Sequence, residues 1–326
     1  MPLITAPVTT DPGTPVDPGT PVDVPEIGYA VITYVDPTGE RWTLTDLRLD
    51  WYALAEGVSG LGAASYVLTS DDHPRGGARL RWVQPQARTI VLPILVTGAD
   101  HMAFTTNWRA LASAFTRTLR QQPDGSRTPG TLEVARPDGT VRTIPVYYAS
   151  GWDGRGQVAT GITWDSAVLT LWCEEPYWAD AEPVVVHRET GAQDDYLVPY
   201  PTVSSGQVLG ATTVVNPGDV DVWPTWVISG PAAEITFTRD DTNESFTLAM
   251  ADTSHGELLA GETVTVSTDP PRVRSSTGEN LVAGLNWPAA VLWSLPPGET
   301  GVTFQLDGAE VGSAVDLTFH PRYETA

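Results

Sequence analysis

Apolar and polar residues alternate along most of this chain, the period-2 signature of half-buried strands. In the second half the alternating runs are short and closely spaced. Strands are predicted at 183–188, 207–215, 222–229, 233–239, 245–250, 263–268, 289–295, 301–306 and 312–319, with turn residues between them. That spacing fits a β-sandwich or jelly roll. In the first half strands are predicted at 29–35, 41–45, 78–84, 88–97, 131–136, 140–148, 157–163 and 166–173, with tight turns at Asp36-Pro37-Thr38-Gly39 and Pro137-Asp138-Gly139. One segment breaks the pattern. Phe104, Trp108, Leu111, Phe115 and Leu119 fall three or four residues apart, which predicts an amphipathic helix over 100–120 with Asp100 as N-cap and Pro123-Asp124-Gly125 beyond its end. A stripe of this kind is core rather than a ligand box. Arg109, Arg117 and Arg120 lie off it and are candidates for contact with a neighbouring subunit.

Two stretches are read less directly. Gly57 to Gly77 reads as a long Gly-rich loop, ordered by function or by a partner. Gly60-Leu61-Gly62 within it has half of a dinucleotide fingerprint, but no third Gly and no helix follow, so nucleotide binding is rejected. Val214 to Pro231 reads as strand, turn, strand, stop: a stiff hairpin whose Asn216-Pro217-Gly218-Asp219 turn is of type II, with Gly218 at positive φ. Pro224 belongs at a strand start or edge, and Gly230-Pro231 ends the second strand.

Composition divides the chain further. Residues 1–27 hold the tandem repeat Asp11-Pro12-Gly13-Thr14-Pro15-Val16 and Asp17-Pro18-Gly19-Thr20-Pro21-Val22, a Pro/Thr/Asp-rich arm expected to be extended and to lie against a neighbour. Trp172-Cys173-Glu174-Glu175-Pro176-Tyr177-Trp178 marks a seam, so a first β domain over 28–180 and a second over 181–326 are expected. The 326 residues carry a net charge of -22 and no lysine. The arm contributes -4. Residues 28–180 hold 13 Arg against 16 acids, net -3, and residues 181–326 hold 5 Arg against 20 acids, net -15. The acidic half repels phosphate backbones, which argues against nucleic-acid binding, and suits an outward face. The mixed first half is the better candidate for packing on other subunits. One cysteine, Cys173, excludes an intrachain disulfide. The N-terminus lacks the features of a signal peptide, and no apolar run is long enough for membrane insertion.

No residue set carries chemistry. His73, His101, His187, His255 and His320 show no metal-ligand spacing, and no nucleophile elbow occurs. Cys173 reads as a small buried hydrophobe. Glu174 and Glu175 would point to opposite faces of a strand, and the Asp pairs 194/195, 219/221 and 240/241 lack calcium-loop spacing. No cofactor, metal or catalytic residue is expected. Trp223, Trp226, Trp287 and Trp293 could stack on sugar rings, Trp223 and Trp287 being preferred, although most tryptophans in a sandwich are core.

An ordered set of motifs carries a resemblance. After the first hairpin and the helix come Thr131-Leu132-Glu133-Val134, Tyr147-Tyr148, Glu175-Pro176-Tyr177-Trp178, Asn216-Pro217-Gly218-Asp219, Trp226-Val227-Ile228-Ser229-Gly230-Pro231, Trp293-Ser294-Leu295-Pro296-Pro297-Gly298 and Pro321-Arg322-Tyr323-Glu324. Over 28–326 this resembles the siphophage distal tail proteins, the phage tail component family that includes minor tail proteins of actinobacteriophages. The resemblance implies a mainly β fold: a β-barrel-like ring domain bearing one α-helix, then a galectin-like β-sandwich. It implies a structural virion protein at the phage tail tip, six copies closing into a ring through which DNA passes. Such a ring joins the tail tube protein, near the tape measure protein, to the tail-tip hub or baseplate. The arm is not part of the pattern. Fold alone does not establish sugar binding. A carbohydrate-binding adhesin contacting the host cell wall is the alternative, and a cell-wall glycan hydrolase a distant third.

Overall fold

The computed structural model describes residues 28–154, 162–190 and 207–326. The repeat arm and most of the predicted strand 157–163 lie outside the described residues. The first half builds β1 (Val31–Val35), β2 (Arg41–Thr43), β3 (Trp51–Ala53), β4 (Tyr66–Asp72), β5 (Ala78–Pro85), β6 (Arg88–Thr97), α1 (His101–Thr116), β7 (Gly130–Ala135), β8 (Val141–Ser150), β9 (Trp164–Cys173) and β10 (Trp178–Asp180). Its main sheet runs β2-β1-β7-β8-β9-β6-β3, with antiparallel neighbours throughout. β8 pairs with β7 over 141–146 and with β9 over 147–150, so the sheet curls through this one strand. Alternation decides the inner face. Ile90, Leu92, Ile94 and Val96 of β6 and Ala167, Leu169, Leu171 and Cys173 of β9 are buried. Trp164, Val168 and Trp172, between the β9 positions, stay exposed.

Helix α1 begins where the sequence predicts: the Asp100 carboxylate accepts the Ala103 N–H at 2.8 Å. Phe104, Trp108, Leu111 and Phe115 are buried on the sheet. Trp108 and Phe115 close around Trp152, and Phe115 meets Tyr34, whose hydroxyl donates to the Ala114 carbonyl. The stripe ends a turn early. A 3₁₀ turn over Arg117–Leu119 rotates Leu119 outward, leaving it 46% exposed.

The second half contributes β11 (Val184–Glu189), β12 (Gln207–Asn216), β13 (Thr225–Ser229), β14 (Glu234–Arg239), β15 (Glu244–Ala249), β16 (Thr263–Thr268), β17 (Pro271–Ser275), β18 (Gly298–Asp307), β19 (Ala314–Phe319) and β20 (Arg322–Tyr323). A five-stranded sheet, β11-β19-β13-β16-β17, faces a four-stranded one, β12-β18-β14-β15. Trp226 from the first stacks on Phe237 of the second at 4.3 Å and meets Phe246, Trp293 and Phe304 edge-on. The fold is mainly β with one long helix among the described residues, as the motif pattern implies.

Several details of the expected second half change. Val214 to Pro231 is not a hairpin: β12 pairs with β18 and β13 with β16 and β19, so this stretch crosses from one sheet to the other. Gly218 does not have positive φ. The Asn216 side chain forms the bend, accepting the Gly218 N–H and donating to the Val220 and Leu295 carbonyls. Glycine is needed because a Cβ there would lie 2.5 Å from the Arg322 carbonyl oxygen. The stretch 289–295 forms no strand, only a bridge between Val222 and Leu295. Trp226 and Trp293 are core side chains, out of reach of any sugar.

The last residues return to the first half. β20 pairs with β10 at the edge of the curled sheet, and the Ala326 N–H donates to the Leu61 carbonyl. The Arg142 guanidinium sits 3.7 Å from the centre of the Tyr323 ring. Beneath this tail Arg88 is buried, and among the described residues no carboxylate pairs with it. Nε donates to Pro176 O at 2.8 Å, Nη1 to Gly60 O at 2.7 Å and to Gly62 O, and Nη2 to Glu324 O at 2.8 Å. The Gly60-Leu61-Gly62 run therefore offers carbonyls to a cation, the reverse of the N–H groups a phosphate loop presents.

One loop of the sandwich is tied by charge. His255 Nε2 lies 3.2 Å from Glu262 and Nδ1 3.3 Å from Glu279, so both ring nitrogens donate when the ring is protonated. The Glu262 hydrogen bond, joined by Glu279 and opposed by modest burial, raises the His255 pKa above its ordinary 6.5. The Leu259 N–H and His255 lower that of Glu262, and the Ser254 hydroxyl and His255 that of Glu279, from an ordinary 4.5. A raised histidine pKa gives stability that is complete below pH 6.5 and is lost as pH rises through the folded value. The depressed carboxylates give stability that is lost as pH falls through their own lowered values. Melting of the sandwich followed against pH should therefore fall on both sides of a weakly acidic optimum. His255→Gln should flatten the alkaline limb, leaving the smaller slope of exposed His187, whose pKa is raised by Asp316 and Glu189.

Candidate functional site

Two features outside the cores could do work: a projecting hairpin and a cleft at the seam. The hairpin is β4–β5, which among the described residues pair only with each other, from Tyr66 opposite Pro85 to Asp72 opposite Ala78, with a bulge after Thr69. Its tip, His73–Gly77, closes through the His73 N–H to Gly77 O at 2.8 Å. The Gly57–Gly77 stretch is therefore not one loop, since its second part is a strand. The 78–84 strand belongs to this arm and not to the curled sheet. Every residue from Tyr66 to Gln84 is exposed. Leu68 and Val83 oppose each other on one face; Val67 and Trp82 lie on the other. Trp82 is 62% and Leu68 64% exposed. The root is pinned: Tyr66 donates to the Glu324 carboxylate and lies 3.2 Å from the Tyr177 hydroxyl, while the other Glu324 oxygen accepts the Ala64 N–H.

The helix arginines divide. Arg109 is exposed with no partner among the described residues. Arg120 is exposed and reaches Ser113 at 3.4 Å. Arg117 does not face outward; it turns onto Asp36, whose carboxylate is fully buried, with Glu40 at 3.3 Å. Burial alone would raise the Asp36 pKa, but hydrogen bonds from the Thr38 side chain and N–H, the Glu40 N–H and Arg117 outweigh it and lower the pKa.

The cleft, of about 300 Å³, lies where the halves meet. Glu175 and Tyr177 line it from the first half, and Trp223, Asp269, His320 and Arg322 from the second. Arg322 is its pivot. It pairs with Glu175 at 2.8 Å, and its guanidinium lies 5.0 Å from the Tyr177 ring centre and 5.8 Å from that of Trp223. Trp223 is 41% exposed. His320 Nδ1 donates to the Asp180 carbonyl at 2.8 Å, which leaves Nε2 an acceptor in the neutral ring. The Asp269 carboxylate has no partner among the described residues. Trp287, 56% exposed, is outside the cleft, beside β15. Sequence patterns pick out the tryptophans but cannot join them to Arg322 or Tyr177, which meet only because the tail folds back. Among the described residues no cluster of three or more His, Cys, Asp or Glu is placed to hold a metal.

No family model matches the chain, and no curated protein does. Solved structures do. The Dit protein of phage SPP1, described as a paradigm of the hub adsorption apparatus in phages infecting Gram-positive bacteria, superposes with a TM-score of 0.59 at 16% identity, over 90% of this chain and 99% of that one. Chains of the phage P2 baseplate in its activated conformation are more distant. The calcium form gives a TM-score of 0.47 at 9% identity over 89% of this chain and 98% of that one. The strontium form gives 0.48 at 10% over 90% and 98%. The likeness to the Dit protein establishes a shared fold along nearly the whole of both chains.

Proposed function

We propose that this chain is a structural, non-enzymatic subunit of a phage tail tip, six copies of which close into a ring joining the tail tube protein to the tail-tip hub. Residues 28–180 form the ring and residues 181–326 the acidic outer unit. The observation that carries this reading is the β4–β5 arm. A lone two-stranded hairpin is marginal in water. One with apolar side chains on both faces gains by burial against another chain. A ring needs such a heterologous contact, in which the arm of one copy lies on a different surface of the next. The near-neutral charge of the first half permits close packing of copies, while the -15 of the second keeps the outer units apart. Exposed Arg109 and Arg120 are available to the same interface. The fold shared with a protein of a hub adsorption apparatus supports the assignment.

The test is mass in solution. The purified chain should run by light scattering at a multiple of 34.9 kDa, approaching six. Leu68→Glu with Trp82→Glu should return it to monomers that keep the native far-ultraviolet circular dichroism and still unfold cooperatively, because neither residue belongs to a core; a fall in melting temperature then reports the stability that assembly supplied. Strictly monomeric wild type at high concentration, or a double variant that still assembles, would defeat the proposal.

A further inference from the structure

We propose that the cleft at the seam is a binding site for an uncharged hexopyranose unit of a glycan, held against Trp223. This stands independently of the ring reading. A pyranose offers two surfaces: a nearly apolar C–H face and a rim of hydroxyls that both donate and accept. The cleft answers both. Trp223 supplies a flat, half-exposed indole whose backbone cannot shift, because the neighbouring Val222 exchanges both backbone hydrogen bonds with Leu295, at 3.0 and 2.8 Å, and Pro224 follows. Its position is set before any ligand arrives, so little ordering is lost on binding.

The rim is matched by groups of both kinds. Arg322 is a fixed fork of donors, 21% exposed, held by Glu175 and by the two rings it lies over. Asp269 is an acceptor with no partner among the described residues. His320 adds a second acceptor at Nε2, since its Nδ1 proton is committed to Asp180 O. An exposed carboxylate and a ring nitrogen lining the same cleft as an aromatic shelf suit hydroxyl donors. The size is at the low end for ligand pockets, enough for one ring and not for a long chain.

Charge selects the class. Asp269 is unpaired, Glu175 already neutralises Arg322, and the second half carries -15 overall. Phosphate- or carboxylate-bearing glycans meet repulsion here, and neutral or N-acetylated sugars do not. An exposed tryptophan outside the cleft, Trp287, provides the control.

The experiment is saturation-transfer NMR with titration calorimetry on the full chain. The probes are glucose, galactose, mannose, rhamnose and N-acetylglucosamine with its tetramer; sialic acid and glycerol phosphate serve as anionic comparators. At least one neutral sugar should bind with millimolar affinity and the anionic comparators should not. Trp223→Ala should weaken binding about tenfold, the loss of an aromatic contact together with its area. Asp269→Asn should weaken it several-fold, and Trp287→Ala should leave it unchanged. Should Trp223→Ala disturb the tail, Asp269→Asn alone carries the test, because the Asp269 carboxylate has no hydrogen-bond partner among the described residues and only its backbone carbonyl accepts from Ser267. No binding by any neutral sugar, preference for an anionic one, or binding that survives both cleft variants overturns the proposal.

Discussion

Replacing Arg88 by methionine is expected to cost about 3 to 5 kcal/mol, the range for leaving several buried polar groups without partners. The guanidinium satisfies Pro176 O, Gly60 O, Gly62 O and Glu324 O at once. These carbonyls come from three segments distant in sequence: the Gly60 loop, the seam and the tail. Methionine fills much of the space but donates nothing, so the carbonyls either stay orphaned or draw water into the seam. Lysine keeps the charge but not the fork, and is expected to recover only part of the loss. Gly60 belongs to the same design, with φ of +87° and a Cβ position 2.2 Å from the Thr89 carbonyl oxygen, so a larger residue could not bring its carbonyl under Arg88. Urea denaturation followed by fluorescence decides it. The first-half transition should move to lower urea and the sandwich transition should hold. Loss of the tail contact should also raise protease cleavage near Glu324. A change below about 1 kcal/mol would mean that water replaces the guanidinium without penalty.

Trp226→Ala should be comparably severe, about 3 to 5 kcal/mol, the usual cost of emptying a large aromatic site in a close-packed core. Trp226 is fully buried at the point where the two sheets touch, stacked on Phe237 and edge-on to Phe246, Trp293 and Phe304. Four rings cannot collapse into the void without tilting the sheets. Among the described residues its indole N–H has no hydrogen-bond partner. Trp226→Phe should therefore lose less than volume alone implies, since it removes an unsatisfied donor together with the lost contacts. Chemical denaturation and near-ultraviolet circular dichroism would show both effects: a lower midpoint for the sandwich and loss of the aromatic band in the alanine variant, a smaller shift and a retained band in phenylalanine. An alanine variant as stable as the parent would show that the sheets are held elsewhere.

Local pattern sufficed for much of the fold. β6 and β16 occupy the predicted 88–97 and 263–268, the first hairpin turns at Asp36–Gly39, and Asp100 caps the helix, because each rests on alternation or capping within a few residues. Errors cluster where pairing is distant. The 289–295 stretch has strand composition but finds no neighbour beyond one bridge, and β17 exists because β16 lies beside it despite the prolines at 270 and 271. Tyr66–Asp72 was hidden among glycines and made a strand only by β5. For the candidate sites, exposed Trp223 and Trp287 were legible as residue types, but Trp226 and Trp293 look the same in sequence and are core.

By itself the sequence determined a mainly β chain with one amphipathic helix, a break near Pro176, a negative charge concentrated in the second half, and a motif order resembling a tail-tip fold. These are properties of neighbouring residues, and period, turn chemistry and charge act at that range. Only the tertiary structure decided that Asn216–Asp219 carries the chain between sheets, that β4–β5 stands free, that Arg117 serves Asp36, and that the tail brings Arg322 to Tyr177 and Trp223. Each depends on contacts between segments tens to hundreds of residues apart, where the gain from burying surface and pairing polar groups outweighs local preference.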